Sequence, residues 1–246
     1  RSVWESRAPA ATGKTLLLPP MVPDDSFGHS SQGRIVDAGR RGTSAAPLRL
    51  VYSGKFARPW MSLEMPLLPQ RLEERGIASH LTMIGDKVHH SPQDRSFPAA
   101  MQAVMREERA RVDWAGGVER AEALRLAAQH DVGLCWRDGS LDASLEVSTK
   151  LLEFAALGVA PIVNRTRSHE RMLGTDYPLF VDSDIEATLV AACDPGTRAA
   201  AADRARLAAE PHRASRCVER LARYFAAAEA DLAESPPLSS PRGNDR

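Results

Sequence analysis

Only four of the 32 basic residues are lysines, namely Lys14, Lys55, Lys87 and Lys150; the other cations are arginines. Ammonium and guanidinium groups are not chemically equivalent, so where these lysines fall is informative. The densest segment is Ser148-Thr149-Lys150-Leu151-Leu152-Glu153. Ser148 is a predicted helix N-cap, which leaves the N–H groups of the first turn free and the positive end of the helix dipole facing outward. Such a helix start binds phosphate, and Lys150 adds a full charge at the same end. Glu153 lies one turn on, on the face of Lys150, where a carboxylate suits two adjacent hydroxyls such as those of a ribose. By spacing alone the pair is equally a surface Lys–Glu contact worth about 0.3 kcal/mol. The chain that follows, Phe154 to Val163, runs straight into a buried strand and favours a site.

The positioning elements follow from hydrophobic period. Compact apolar runs are predicted as strands at residues 48–52, 80–84, 111–114, 132–136, 160–163 and 179–181. Helical stretches are predicted at 62–75, 98–108, 118–130, 148–157, 168–173 and over most of 185–233. Pro66 and Pro69 break the first of these or delay its start. Strands alternating with helices mean parallel pairing through crossovers. The fold class is therefore α/β: a doubly wound, Rossmann-like parallel sheet of about six strands over residues 48–185, with C-terminal helices. Ligands bind such sheets beyond the carboxyl ends of the strands. Lys55, in Ser53-Gly54-Lys55, follows the first strand; Lys87, in Gly85-Asp86-Lys87, follows the second. Lys150 opens the helix after the fourth, so three of the four lysines share one edge.

Outside this body, Thr15-Leu16-Leu17-Leu18 reads as a short strand stopped by Pro19-Pro20. Residues 24–47 read as a linker with an ordered piece near 34–36, and 235–246 as a disordered Pro/Ser tail. The chain has 246 residues and 43% apolar side chains, enough to bury a core without staples. Thirty-two basic against 32 acidic residues leave no excess to coat a polyanion, so nucleic acid is not expected as a partner. Cys135, Cys193 and Cys217, odd in number and without a CxxC, read as reduced thiols of a cytoplasmic protein. The longest apolar stretch, 151–163, is interrupted by Glu153 and Gly158, so no transmembrane segment is expected. The first residue, Arg1, reads as that of a fragment or a processed piece. The run Ala8 to Thr15 loosely fits a phosphate-loop pattern but lacks the strand before it and the helix after it. His89-His90 and His169-Glu170 are too isolated for a metal site. The arginines between 198 and 223 alternate with Ala, Asp and Glu as on a solvated helix face.

Ser148 to Gly158, followed by Ala160-Pro161-Ile162-Val163, resembles the donor-binding half of GT-B glycosyltransferases, most closely the large retaining family numbered four. Tyr52-Ser53-Gly54-Lys55-Phe56, Ile84-Gly85-Asp86 and Asp131-Val132-Gly133-Leu134 resemble other parts of that half in the same order, and the resemblance covers about residues 15–232. It implies transfer of a sugar from a nucleotide-diphosphate sugar, with retention and without a metal or other cofactor. It implies that Lys55 and Lys150, with Gly54 and the backbone of Ser148 and Thr149, contact the diphosphate. Glu153 would hold the ribose, and Trp136 and Arg137 would flank the base. It divides the chain into 1–23 as a remnant of the acceptor-binding half, 24–47 as linker and 48–234 as the donor-binding domain. The partner would be a missing acceptor domain or chain. His169 and Glu170, beyond the fifth strand, would be within reach of donor or acceptor.

Two positions depart from the family pattern. Leu145, beside Glu146, stands where the family has a carboxylate, and Trp60, near Arg58, where it has a second basic residue. The family's last helix crosses back to the other half; here Val218, Leu221, Tyr224, Phe225, Ala228 and Leu232 form its apolar stripe, which either needs a partner or packs on this domain. A non-catalytic nucleotide-binding or docking module and a GT-B-fold sugar-nucleotide epimerase are the alternatives of other classes.

Overall fold

The computed structural model describes residues 6–7, 15–16, 18–28, 46–90, 92, 94–143 and 147–234. Six strands form one parallel sheet: β1 (Leu48–Ser53), β2 (Ser79–Ile84), β3 (Val112–Gly116), β4 (Val132–Leu134), β5 (Ala160–Asn164) and β6 (Phe180–Val181). Their spatial order is β3-β2-β1-β4-β5-β6, so the sheet winds one way from β1 to β3 and then restarts on the other side of β1 at β4. Central strands covered on both faces read as continuous apolar runs rather than alternating ones. All five residues of β5 are accordingly buried.

Eight helices flank the sheet among the described residues: α1 (Leu68–Glu74), α2 (Phe97–Arg106), α3 (Arg120–Ala127), α4 (Thr149–Ala156), α5 (Arg167–Leu173), α6 (Ile185–Ala191), α7 (Pro195–Ala209) and α8 (Ala214–Glu234). The helix predicted from residue 62 starts late, as its prolines require. Two 3-10 turns, Arg58–Trp60 and Met65–Leu67, precede it, and Pro69 occupies the first turn of α1, where its missing N–H costs nothing. No strand includes Thr15, Leu16 or Leu18 among the described residues; the phosphate-loop-like run before Thr15, the piece near 34–36, Leu145, Glu146 and the 235–246 tail lie outside them.

The element that matters most for function is α4, and its seat is decided by one small residue. A Cβ on Gly133 of β4 would stand 2.3 Å from a ring carbon of Phe154, so only glycine lets that ring lie flat on the strand. Leu151, Leu152, Phe154, Ala155 and Ala156 are buried beside it. Helix α7 closes over α4 and β5 through Ala201, Ala205 and Ala209, one small residue per turn. Residues 18–28 run back to the junction of α7 and α8. There Val22 bridges Arg213, Phe27 is buried, and the Arg213 guanidinium lies 3.7 Å from the Phe27 ring centre. Along α8, Leu221, Tyr224 and Ala228 are half-buried while Val218 and Phe225 are exposed.

Two buried imidazoles tie elements together. His130 joins the Leu126 carbonyl (2.9 Å) and the Thr82 hydroxyl (2.8 Å), and the Nδ1 of His169 joins the Asn164 carbonyl (2.7 Å). Burial lowers both from the ordinary value of 6.5. The folded protein thus resists protons that the unfolded chain takes up near 6.5, so stability is whole above that pH and declines as pH falls through it. We expect the melting temperature to level off near pH 7 and to fall towards pH 5.5, before carboxylates titrate. His130→Asn should flatten that slope in a melting series; an unchanged slope in both His130→Asn and His169→Asn would refute this origin.

Candidate functional site

The sheet order reverses between β1 and β4, and a ligand crevice opens beyond their carboxyl ends. A cavity of about 600 Å³ occupies that place. Tyr52, Trp60, Trp136, Arg137, Val147, Ser148, Thr149 and Lys150 line it, and Leu18, Pro19 and Pro20 form part of its wall. Among the described residues its lining includes two cations and no carboxylate.

Ser148 is the N-cap of α4, as its sequence predicts; its hydroxyl accepts from the Leu151 N–H at 3.4 Å. Lys150, in the first turn, is half-buried. Its Nζ lies 4.3 Å from the Trp60 ring centre and 5.2 Å from that of Tyr52, and it makes no ion pair among the described residues. Burial lowers its pKa from the ordinary 10.5. Two π faces are a weak substitute for an anion. The turn after β1 reaches the same point: a Cβ on Gly54, at φ +136°, would stand 2.7 Å from Lys150 Cε. Lys55 follows in the exposed part of that turn and does not line the cavity, while its carbonyl accepts from the Tyr52 hydroxyl. The turn after β2 packs alongside, with Phe56 N–H bonded to the Lys87 carbonyl at 2.8 Å and the Lys87 side chain exposed.

Glu153 is placed one turn beyond Lys150 but does not line the cavity. Its carboxylate pairs with Arg120 at the start of α3, Oε1 to Nη1 2.7 Å, and is 23% exposed. Trp136 and Arg137 do line the cavity. Asn164, at the end of β5, clasps the Arg137 backbone at two points: it accepts from the Arg137 N–H (3.0 Å) and donates to the Arg137 carbonyl (2.8 Å). His169 is buried and not part of the wall, and Glu170 pairs with Arg165 at 3.3 Å. Cys135 reaches the wall, but burial pushes its thiol up to about 12, so it is no nucleophile at neutral pH. Among the described residues no cluster of three His, Cys, Asp or Glu could hold a metal, and no helix is long and apolar enough to cross a membrane.

Sequence reading missed three contributors. Trp60 and Tyr52 were not seen as the rings under Lys150, although Trp60 sits where a second basic residue was sought. Arg58, beside it, is turned away onto Asp94 and over the Phe97 ring. The Trp60 turn is held by a left-handed Met61 (φ 53°) and by Ser62, whose hydroxyl accepts from the Ala57 N–H at 2.8 Å. A bulky residue in that region stores strain that the surroundings must hold. Nothing local marked Arg120 as the partner of Glu153, since the pair spans two crossovers.

No family profile and no curated protein sequence matches this chain. Solved structures do. A glycosyltransferase from Rickettsia africae ESF-5 superposes over 89% of this chain and 58% of its own, at 11% identity and TM-score 0.57. Sucrose-phosphate synthase from Thermosynechococcus elongatus covers 88% of this chain and 53% of its own, at 13% identity and TM-score 0.61. The Anabaena protein HepE, solved with UDP-glucose, covers 84% and 56%, at 14% identity and TM-score 0.55. The fold is thus that of one half of a GT-B architecture, and the chain spans a little over half the length of these structures.

Proposed function

We propose that this GT-B half holds a nucleotide-diphosphate sugar at the ends of β1 and β4 and so supplies the donor site of a retaining glycosyltransferase. One observation carries the reading. Lys150 is a half-buried ammonium without an ion-pair partner among the described residues, at a capped helix start that lines a cavity of about 600 Å³. A diphosphate supplies the charge that the two rings do not. That a protein of this fold was solved with UDP-glucose supports the assignment.

In this reading the first-turn N–H groups at Ser148 and Thr149 and the Lys150 ammonium meet the phosphates, and the open backbone at Gly54 lets them approach closely. Lys55 swings in from its exposed turn. Glu153 takes the ribose hydroxyls, sharing its carboxylate with Arg120. These groups do no covalent chemistry. They fix the donor and stabilise the negative charge that grows on the departing diphosphate, in a cavity from which water is largely displaced. An acceptor-binding domain or partner chain brings the other substrate, so the 246-residue chain is expected to bind donor and to turn it over poorly by itself.

A thermal-shift panel of UDP, GDP, ADP and dTDP tests this. One diphosphate should stabilise the protein, by about 2.7 kcal/mol at a hundred times its Kd. Glu153→Ala should lose most of that shift with its ligand-free melting point nearly unchanged, the residue being a partly exposed partner of Arg120. If none of the four nucleotides shifts the wild-type protein, the donor-site reading is wrong.

A further inference from the structure

The cavity holds a second cation whose hydrogen-bonding capacity is partly unused. Arg137 is 11% exposed in its side chain, and its Nε and Nη2 have no acceptor among the described residues. Asp142, the carboxylate it pairs with among the described residues, stands at 3.9 Å from Nε, too far for a hydrogen bond. The Asn164 clasp fixes the root of the side chain, so the guanidinium is not free to seek a partner elsewhere. Its neighbour His169 adds no charge: a carbonyl only accepts, so Nδ1 carries the proton toward Asn164, and burial keeps the ring neutral at pH 7. A buried guanidinium with unmatched N–H groups is costly in the empty site and is relieved by an oxyanion, whose geometry its planar fork fits.

Position indicates which part of the ligand that oxyanion belongs to. Gly54, at the end of β1, touches Lys150, and β1 stands in the middle of the sheet. Glu153 meets Arg120, which opens the helix entered from β3, whereas Arg137 is clasped by Asn164 at the end of β5. If Glu153 takes the ribose, the nucleoside runs toward β3, and the outer phosphate with its sugar runs toward β5. Arg137 then stands away from the base. Trp60 sets a ring, not a second cation, over Lys150, so Arg137 is the other cation in the wall among the described residues.

We propose that Arg137 is the seat of a second oxyanion beside the one Lys150 takes, supplied by the donor's outer phosphate or by an acid group on the attached sugar. The inference rests on the donor-site reading and replaces the base-flanking role expected of Arg137.

The test is calorimetric binding of UMP, UDP, UDP-glucose and UDP-glucuronic acid, and of the guanine counterparts GMP, GDP and GDP-mannose, to wild type, Arg137→Gln and Arg137→Lys. Removing a charge-assisted hydrogen bond should cost about tenfold or more in affinity. If Arg137→Gln weakens the diphosphate tenfold and the monophosphate less than twofold, the outer phosphate is the source. If only the acid sugar loses affinity, the sugar is the source; either result supports the proposal. Equal losses for mono- and diphosphate, or no loss for any ligand, overturn it and leave the donor site standing. A wild type that binds none of the nucleotides sinks both. Arg137→Lys keeps the charge but not the fork, and an intermediate loss there is the expected result even if Arg137→Gln fails to fold.

Discussion

Lys150→Met is expected to raise the melting temperature of the ligand-free protein and to cut sharply the shift produced by a nucleoside diphosphate. The two halves of that result have one cause. The Lys150 ammonium is partly withdrawn from water without an ion-pair partner among the described residues, and burial disfavours its charged form. The ring faces of Trp60 and Tyr52 offset part of that cost, about 0.5–1 kcal/mol for each good contact. Methionine fills nearly the same volume without a charge, so its net gain should be about 1 kcal/mol, or roughly 2–4 °C for a domain of this size. The gain has a distinctive pH dependence. Because the folded pKa is below 10.5, the unfolded wild type holds a proton on the alkaline side that the folded state gives up. Wild-type stability therefore rises as pH climbs towards 10.5, and the advantage of the variant shrinks. Ligand binding should move oppositely. Diphosphate affinity falls about ten- to a hundredfold in Lys150→Met, the value of a charge-assisted hydrogen bond. Thermal melts with and without nucleotide, from pH 7 to 10, read both effects. A variant less stable than wild type that still responds to nucleotide would show that Lys150 is a structural cation. Stability given up for a ligand is a familiar trade at binding sites.

The largest loss of stability from one added methyl group at the site is expected at Gly85. Its backbone, at φ +137°, lies in a region that residues with a side chain avoid, and an added Cβ would stand 2.2 Å from the Gly54 carbonyl oxygen. That atom belongs to the backbone of the turn after β1, which cannot step aside because the Gly54 N–H is bonded to the Ile84 carbonyl at 2.9 Å. Strain of this kind adds to overpacking, and together they cost about 3 kcal/mol. Gly54→Ala meets the flexible end of Lys150 instead, at 2.7 Å, so part of its clash can be relieved by moving the lysine. We therefore expect Gly85→Ala to lower the denaturation midpoint far more than Gly54→Ala. Gly54→Ala should weaken nucleotide binding out of proportion to its loss of stability, because the displaced group is the phosphate ligand itself. Urea titrations of both variants, with nucleotide affinity measured in parallel, check the contrast. Equal midpoints would mean that the two turns are not packed against each other.

Lys55 and Lys150 illustrate how far sequence position alone reaches. The edge rule placed both at one end of the sheet, and Gly54 does touch Lys150. The rule says nothing of exposure, so it could not separate a lysine lining the cavity from one standing outside it. Glu153 was placed on the correct turn of α4, but its Arg120 partner lies beyond the reach of any local pattern. Trp136 and Arg137 were singled out as base-flanking residues past the fourth strand, and both line the cavity just beyond the end of β4. The unmatched nitrogens of Arg137 become visible only when every neighbouring acceptor has been located.

What the sequence by itself determined was the alternation of apolar runs and helical stretches, hence the parallel sheet, its binding edge and the capped start of α4. Those follow from short-range rules: side-chain period, proline's missing donor, and a serine before a helix. Tertiary structure alone decided that β1 and β4 adjoin, that Trp60 closes over Lys150, and that Arg120 meets Glu153. Each of these brings together residues far apart in the chain, and their contacts are selected by the packing of the whole core rather than by preferences that any one segment carries.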